Sequence, residues 1–404
     1  MLSRDRLIFF TLLLIHSILL FSIIDEFGIS YNEAKVVFED QSFLSLLVNF
    51  FLTTFGQNDY ALRLPFIFFY LASSIVFYLL LDDYFTKPFD RLLTIAIFMI
   101  LPGVNSAAIL VNESIIVVFF TLLYLYLYKI RNKEHYFLLF LFLFIDNSFA
   151  ILYLALFVFS LKKKDNVLLA VSLVLFAASM SIYGFDVFDK PRGYFIDTFA
   201  VLASIFSPVL FVYFLYTIYR FGLKWEIDMY WSIAATALIL SLLFSLRQKV
   251  DITDFAPFLV VSIPLMVKLF MHSFRVRLKR YRKKHFSFAV ITIVLLVVNF
   301  LILIFNKTLY PFFENPNSHF AYKHHVVKEL SAQLKQLGID RVFIADRKYQ
   351  MRLKFYGIEE GNNNRLVIKN IKDKQSDIVI QYFDKVVARF DIIQSNKLPN
   401  ETKL

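Results

Sequence analysis

The fold class that the sequence predicts is mainly helical: a polytopic membrane bundle of about eleven spans followed by a small C-terminal α/β domain. Three observations predict it. Hydrophobic residues make up 58% of the 404 positions, against roughly 45–50% in an ordinary soluble domain. Apolar runs recur along the chain, and many approach the ~20 residues needed to cross ~30 Å of hydrocarbon as a helix. After Phe305 the composition turns polar.

In chain order the spans are expected at 7–24, 61–81, 91–107, 112–130, 136–146, 148–161, 167–185, 198–220, 229–246, 254–273 and 286–306. Arg4 and Arg6 precede the first. Its long core, with no small-residue cleavage site after it, marks a transmembrane helix rather than a secretion signal. Residues 33–40 and 42–54 repeat apolar positions every three to four residues, as short amphipathic helices on a membrane surface would. They would frame the mouth of an outer cavity. Residues 136–160 are too many for one relaxed helix and are interrupted at Asp146-Asn147-Ser148, so two short helices turning near the outer face are expected. Irregular backbone at that depth implies a cavity. This is the single broken segment that the sequence reveals.

The second domain is expected over 307–404, after a membrane domain over 1–306. A helix is predicted at 324–337 with Gly338 as its C-cap, and strands at 342–345, 366–369, 377–383 and 386–393. Residues 396–404 read as a frayed tail.

The net charge is +11, and its distribution sets topology rather than a nucleic-acid partner. Basic residues fall in alternate loops: Arg4/Arg6, Lys87/Arg91, Lys129/Arg131/Lys133, Lys162-Lys163-Lys164, Arg220/Lys224 and the run from Arg275 to Lys284. The opposite loops carry Asp25, Glu26, Glu33, Glu39, Asp40, Asp186, Asp189 and Asp197. The positive-inside rule then places the N-terminus in the cytoplasm and the C-terminal domain outside. The basic run is read as an anchor on anionic membrane lipids. With no cysteine, disulfide and thiolate chemistry are excluded. No Gly-rich phosphate loop, nucleophile elbow or HExxH motif is present, so ATP hydrolysis and zinc proteolysis have no support. His319, His324 and His325 lack a matching carboxylate set and are read as solvated surface.

Tyr31-Asn32-Glu33-Ala34, followed by Phe55-Gly56-Gln57-Asn58-Asp59-Tyr60-Ala61-Leu62-Arg63-Leu64-Pro65, resembles the start of glycosyltransferase family 39, with its aminoarabinose-transferase and protein mannosyltransferase relatives. Val111-Asn112-Glu113-Ser114 looks like that family's second acidic motif. The break at Asp146-Asn147 resembles its paired short helices, and Arg247-Gln248-Lys249 with Pro257 and Pro264 resembles the basic start of a late span. The similarity spreads over most of residues 1–306, with the Phe-Gly to Leu-Pro element the most distinctive. Asn32 stands where the family usually carries aspartate, and Gln41-Ser42-Phe43-Leu44 replaces its Pro-Pro element.

The resemblance implies a type C glycosyltransferase-like membrane fold in a bacterial inner membrane, with a periplasmic C-terminal domain. It further implies transfer of a sugar from a polyprenyl-phosphate donor to a glycan, lipid or protein acceptor. Such transfer needs a carboxylate to act as base or to hold a divalent metal ion, and cations for the leaving phosphate. Glu33 and Glu113 are the catalytic candidates. Asn32, Arg63, Arg247 and Lys249 are the substrate-binding candidates, with guanidinium groups suited to phosphate oxygens. Each also has a structural reading: Glu33 as a solvated loop residue, Glu113 as a helix cap, Arg63 as a clamp between the surface helices and the second span, and Arg247 and Lys249 as snorkelling residues. A non-catalytic relative that binds lipid-linked glycan or serves as a partner subunit is the alternative function. A transporter is a third, normally marked by discontinuous helices in both halves.

Overall fold

The structure, a computed structural model, describes residues 4–184, 192–224, 226–371, 373 and 375–394. Asp186, Asp189, the end of the 167–185 span and the expected tail at 396–404 lie outside them. The chain is mainly helical and divides into two compact units. The first comprises Met1–Ile18 and Phe66–Leu301, and the second comprises Leu19–Pro65 and Ile302–Leu404. Residue 306 lies near one seam, but the stretch between the first two long helices groups with the C-terminal residues.

Helix α1 (Arg4–Ile23) is followed by α2 (Tyr31–Phe38) and α3 (Phe43–Phe55), then by α4 (Asp59–Leu80). Ser30 and Ser42 are the N-caps of α2 and α3, where serine satisfies amides with no intrahelical partner. Next come α5 (Pro88–Ile100) and α6 (Pro102–Ile109), α7 (Ser114–Arg131), α8 (Tyr136–Phe142), α9 (Phe149–Lys163) and α10 (Asn166–Tyr183). They are followed by α11 (Phe195–Phe206) and α12 (Pro208–Leu223), α13 (Met229–Ser245), α14 (Ile252–Val260), α15 (Ile263–Val276) and α16 (Lys279–Ile304). Inside the first unit α9 packs on α10 and α13, α13 on α14, α14 on α7, and α5 on α15. Lys162 and Lys163 close α9, a favourable sign at the negative helix end.

By length and composition, five of these helices could cross a membrane, or up to nine if each bent pair counts as one span, among the described residues. Three segments expected to be continuous are bent. The 91–107 span is α5 and α6, turned by 54°. The 198–220 span is α11 and α12, turned by 101°, and the 254–273 span is α14 and α15, turned by 42°. Proline explains where the first two turn. Pro102 and Pro208 open α6 and α12, where a missing N–H costs nothing and the preceding residue is driven out of helical geometry, whereas Pro264 is the second residue of α15 and follows the helical Ile263. Leu101 is extended, and Ser207 has φ +73°.

In the second unit a four-stranded sheet has the order β1-β2-β4-β3, with β1 (Arg341–Ile344), β2 (Glu359–Lys369), β3 (Ile378–Tyr382) and β4 (Lys385–Gln394). β1 and β2 are parallel and the other pairs antiparallel. The expected helix is α17 (Tyr322–Gln336), ended by Gly338 at φ +71°, a backbone that an L side chain resists. A further helix, α18 (Arg347–Phe355), was not expected. It is short and charged, yet capped by Asp346, whose Oδ1 accepts from Lys348 N–H at 2.8 Å. It buries Tyr349 and Leu353 one turn apart and packs on α2 and α17. Val326, Leu330, Leu334, Val342, Leu353, Ile380 and Phe390 build the core of the unit.

Candidate functional site

In the first unit, the starts of three helices line one cavity of about 370 Å³. Each start follows from local hydrogen-bond chemistry. Before α7, Asn112 Oδ1 accepts from Ser114 N–H at 3.0 Å. Before α9, Asp146 Oδ1 accepts from Ser148 N–H at 2.8 Å. Before α14, Asp251 Oδ1 accepts from Thr253 N–H at 3.0 Å and from its hydroxyl at 2.7 Å. Short polar side chains at these positions satisfy the amides that open a helix, and the helix dipoles favour carboxylates there. Ser114 Oγ donates to Thr253 O at 2.9 Å, tying α7 to α14.

Glu113, Asp146, Asp251 and Asp254 all line this cavity together with Gln248 and Lys249. Ile151, Phe176, Leu240 and Phe255 supply apolar walls. Glu113 stands at the N-cap of α7 without capping it through its side chain; Asn112 does that instead. Asp254 sits in the first turn of α14, half-buried. The cavity thus offers proton acceptors, a cation and an apolar flank suited to an amphiphile. Among the described residues no three His, Asp or Glu side chains are arranged to hold a metal ion.

The second unit holds Glu33 and Arg63 in a different setting. Glu33 is 3% exposed and completes a capping box at α2: its Oε2 accepts from Ser30 N–H at 2.7 Å, and Ser30 Oγ accepts from Glu33 N–H at 3.3 Å. Arg63 is fully buried. Its Nη2 donates to Gly28 O at 3.0 Å and lies 3.8 Å from Glu33, while Nη1 lies 3.7 Å from Asp59. His324 Nδ1 donates to Gly28 O at 3.2 Å and is 3.6 Å from Glu33. Asp59 accepts from Tyr356 O–H at 2.9 Å and meets Lys328 Nζ at 2.8 Å. Glu33 is therefore a buried cap inside a charge cluster, and Arg63 a clamp.

Gly28 is required here by close approach. A Cβ at this position would stand 2.6 Å from His324 O and 2.8 Å from the Tyr356 hydroxyl, and Gly28 N–H donates to His324 O at 2.8 Å. Gly28→Ala is expected to destabilise the second unit by about 1–3 kcal/mol, as overpacked sites do. An unchanged thermal midpoint of the purified variant would refute this.

The expectation of solvated histidines is corrected. His319 and His325 are buried, because the start of α17 turns inward onto aromatic rings. Tyr310 stacks on His319 at 4.2 Å and its hydroxyl hydrogen-bonds His325 Nδ1 at 2.9 Å. His319 Nε2 is 2.9 Å from Asn306 O. Burial lowers the pKa of all three histidines, and that of His325 to about 3. For His324 the Glu33 carboxylate opposes this but does not outweigh burial.

Of the residues singled out from sequence, Glu113 and Lys249 share the acidic cavity, and Glu33 and Arg63 share the buried cluster. Asn32 and Arg247 are exposed, and Arg247 is not among the cavity's lining residues. Sequence alone marks Asp146 only as a helix break. The signal for Asp251 and Asp254 is Asp251-Ile252-Thr253-Asp254, which places carboxylates three apart at a helix start. Comparisons with family models, with curated proteins and with solved structures found no match to this chain.

Proposed function

We propose that the chain is a type C membrane glycosyltransferase that moves a sugar from a polyprenyl phosphate to a glycan, lipid or protein hydroxyl, with its reacting centre in the acidic cavity. On this reading it lies in a bacterial inner membrane with its N-terminus in the cytoplasm and the C-terminal domain in the periplasm. One observation carries the reading: Glu113 and Lys249, both drawn from the motifs, line the same part-apolar cavity as Asp254. An acceptor hydroxyl would give its proton to Asp254 or Glu113 as its oxygen attacks the anomeric carbon. The bond from that carbon to the phosphate oxygen breaks, and the polyprenyl phosphate leaves with its growing charge met by Lys249.

The test is transfer of labelled sugar in isolated membranes fed a mixture of polyprenyl-phosphate sugars, with label followed into lipid and glycan fractions. Asp254→Asn or Glu113→Gln should lower transfer by about 100-fold or more at matched expression. Transfer unchanged in both variants, or none from folded wild type across the donor panel, would defeat the proposal.

The bends at Pro102, Pro208 and Pro264 favour a second reading, since discontinuous helices are a mark of transporters. Movement of lipid-linked glycan across proteoliposomes without transfer would select it.

A further inference from the structure

A second feature of the first unit lies apart from the acidic cavity. A narrow apolar slot runs between α5, α12, α15 and α16, bounded by Leu93, Leu210, Phe270, Phe288, Ala289 and Leu296. Phe288 to Leu296 spans about 12 Å along α16 at the usual rise per residue. Beside the slot, Phe286, Ile291 and Val294 present apolar side chains outward, so α16 offers hydrocarbon-compatible surface on both sides of it.

The slot ends at charge. Phe270 stacks on His285 at 4.4 Å, and Arg282 lies 5.9 Å over Phe274. Arg277 closes α15. Three guanidinium groups of this run bond within the protein, Arg277 through Nε alone, which donates to Ser273 Oγ at 3.2 Å. Arg275 grips Asp90 at 2.5 Å and 2.7 Å, and Arg282 donates to the carbonyls of Arg277 and Arg275 at 2.8 Å and 2.9 Å. Arg277, Lys279, Arg280, Lys283 and Lys284 are exposed, and among the described residues none has a carboxylate partner. Such a cluster beside an apolar slot is complementary to a molecule with an anionic head and a hydrocarbon tail.

We propose that this site holds one anionic glycerophospholipid, with its phosphate on the cations around Arg277 and one acyl chain lying along α16 over the slot, which at about 60 Å³ takes a few of its methylenes. The inference rests on α16 lying in a bilayer and not on sugar transfer, so either can fail alone. The lipid would fill the seam where α16, which buries few of its side chains, meets its neighbours.

The test uses the full chain in neutral detergent, with dioleoylphosphatidylglycerol or dioleoylphosphatidylcholine added and retention read by native mass spectrometry. One phosphatidylglycerol should be retained per chain, at least about 10-fold more tightly than phosphatidylcholine, and combined Arg277→Gln, Lys283→Gln and Lys284→Gln should remove that preference. Ala289→Phe fills the slot while leaving every charge in place. It should weaken phosphatidylglycerol retention about 10-fold with the helical circular-dichroism signal intact. Equal retention of the two lipids by wild type, or wild-type retention by Ala289→Phe, would overturn the proposal.

Discussion

Arg63→Ala is expected to destabilise the second unit by about 3–5 kcal/mol, the cost of removing one partner from a buried charge cluster. Arg63 is fully buried between Glu33 and Asp59, which are 3% and 5% exposed. Truncation would leave two buried carboxylates without the cation between them, Gly28 O with only its 3.2 Å bond from His324, and a cavity the size of the lost side chain. Lys328 still reaches Asp59, so Glu33 bears most of the loss. The geometry is that of a Coulombic clamp: Nε and Nη1 of Arg63 make no hydrogen bond. Arg63→Lys should therefore recover part of the stability by restoring charge without the guanidinium fork. Thermal melting of the full chain, with hydrogen exchange followed in α2 and α17, would check this. Wild-type protection in Arg63→Ala would refute the clamp.

Acidification from pH 7.5 to 5 should loosen the second unit before the first. The pKa of His325 in the folded chain is pushed down to about 3, first by burial and then by Lys307, His319 and His324. The unfolded chain takes up the proton near pH 6.5. Below that value the unfolded state binds more protons, so the stability is full above about pH 6.5 and is lost as pH falls. His325 alone contributes a slope of about 1.4 kcal/mol per pH unit, or about 2 kcal/mol by pH 5. His319 and His324 act in the same sense, both first through burial. Tyr310 and Tyr382 also face His325 but stay neutral across this window, since burial raises both. Glu329, raised by burial, acts in the opposite sense only nearer the carboxylate range. Denaturant midpoints at the two pH values, read by exchange of α17 amides, should differ in wild type and differ less in His325→Gln. Equal midpoints would show that these rings charge freely.

Much of the fold was legible locally. Apolar runs located the long helices, period-of-four patterns located α2 and α3, and Gly338 marked the end of α17. The polar start of β2, Glu359-Glu360-Gly361-Asn362-Asn363-Asn364, was not legible, since none of these residues favours a strand. Pairing with β1 imposes it, through the register Arg341↔Glu359 and Val342↔Glu360. The prolines at 102, 208 and 264 were visible, but whether a proline merely starts a helix or turns the chain by 101° depends on what each half packs against.

By itself the sequence determined which segments are apolar helices and that a polar α/β segment follows them, because hydrophobic period is a property of neighbouring residues. Only the tertiary structure decided what each charge meets. It closed Glu33 into a cluster with Arg63 and with His324, which lies far along the chain, turned three histidines inward, and gathered Glu113, Asp146, Asp251 and Asp254 from three helix starts around one cavity. The role of a carboxylate is set by the dielectric and the partners around it, and those are supplied by residues remote in sequence.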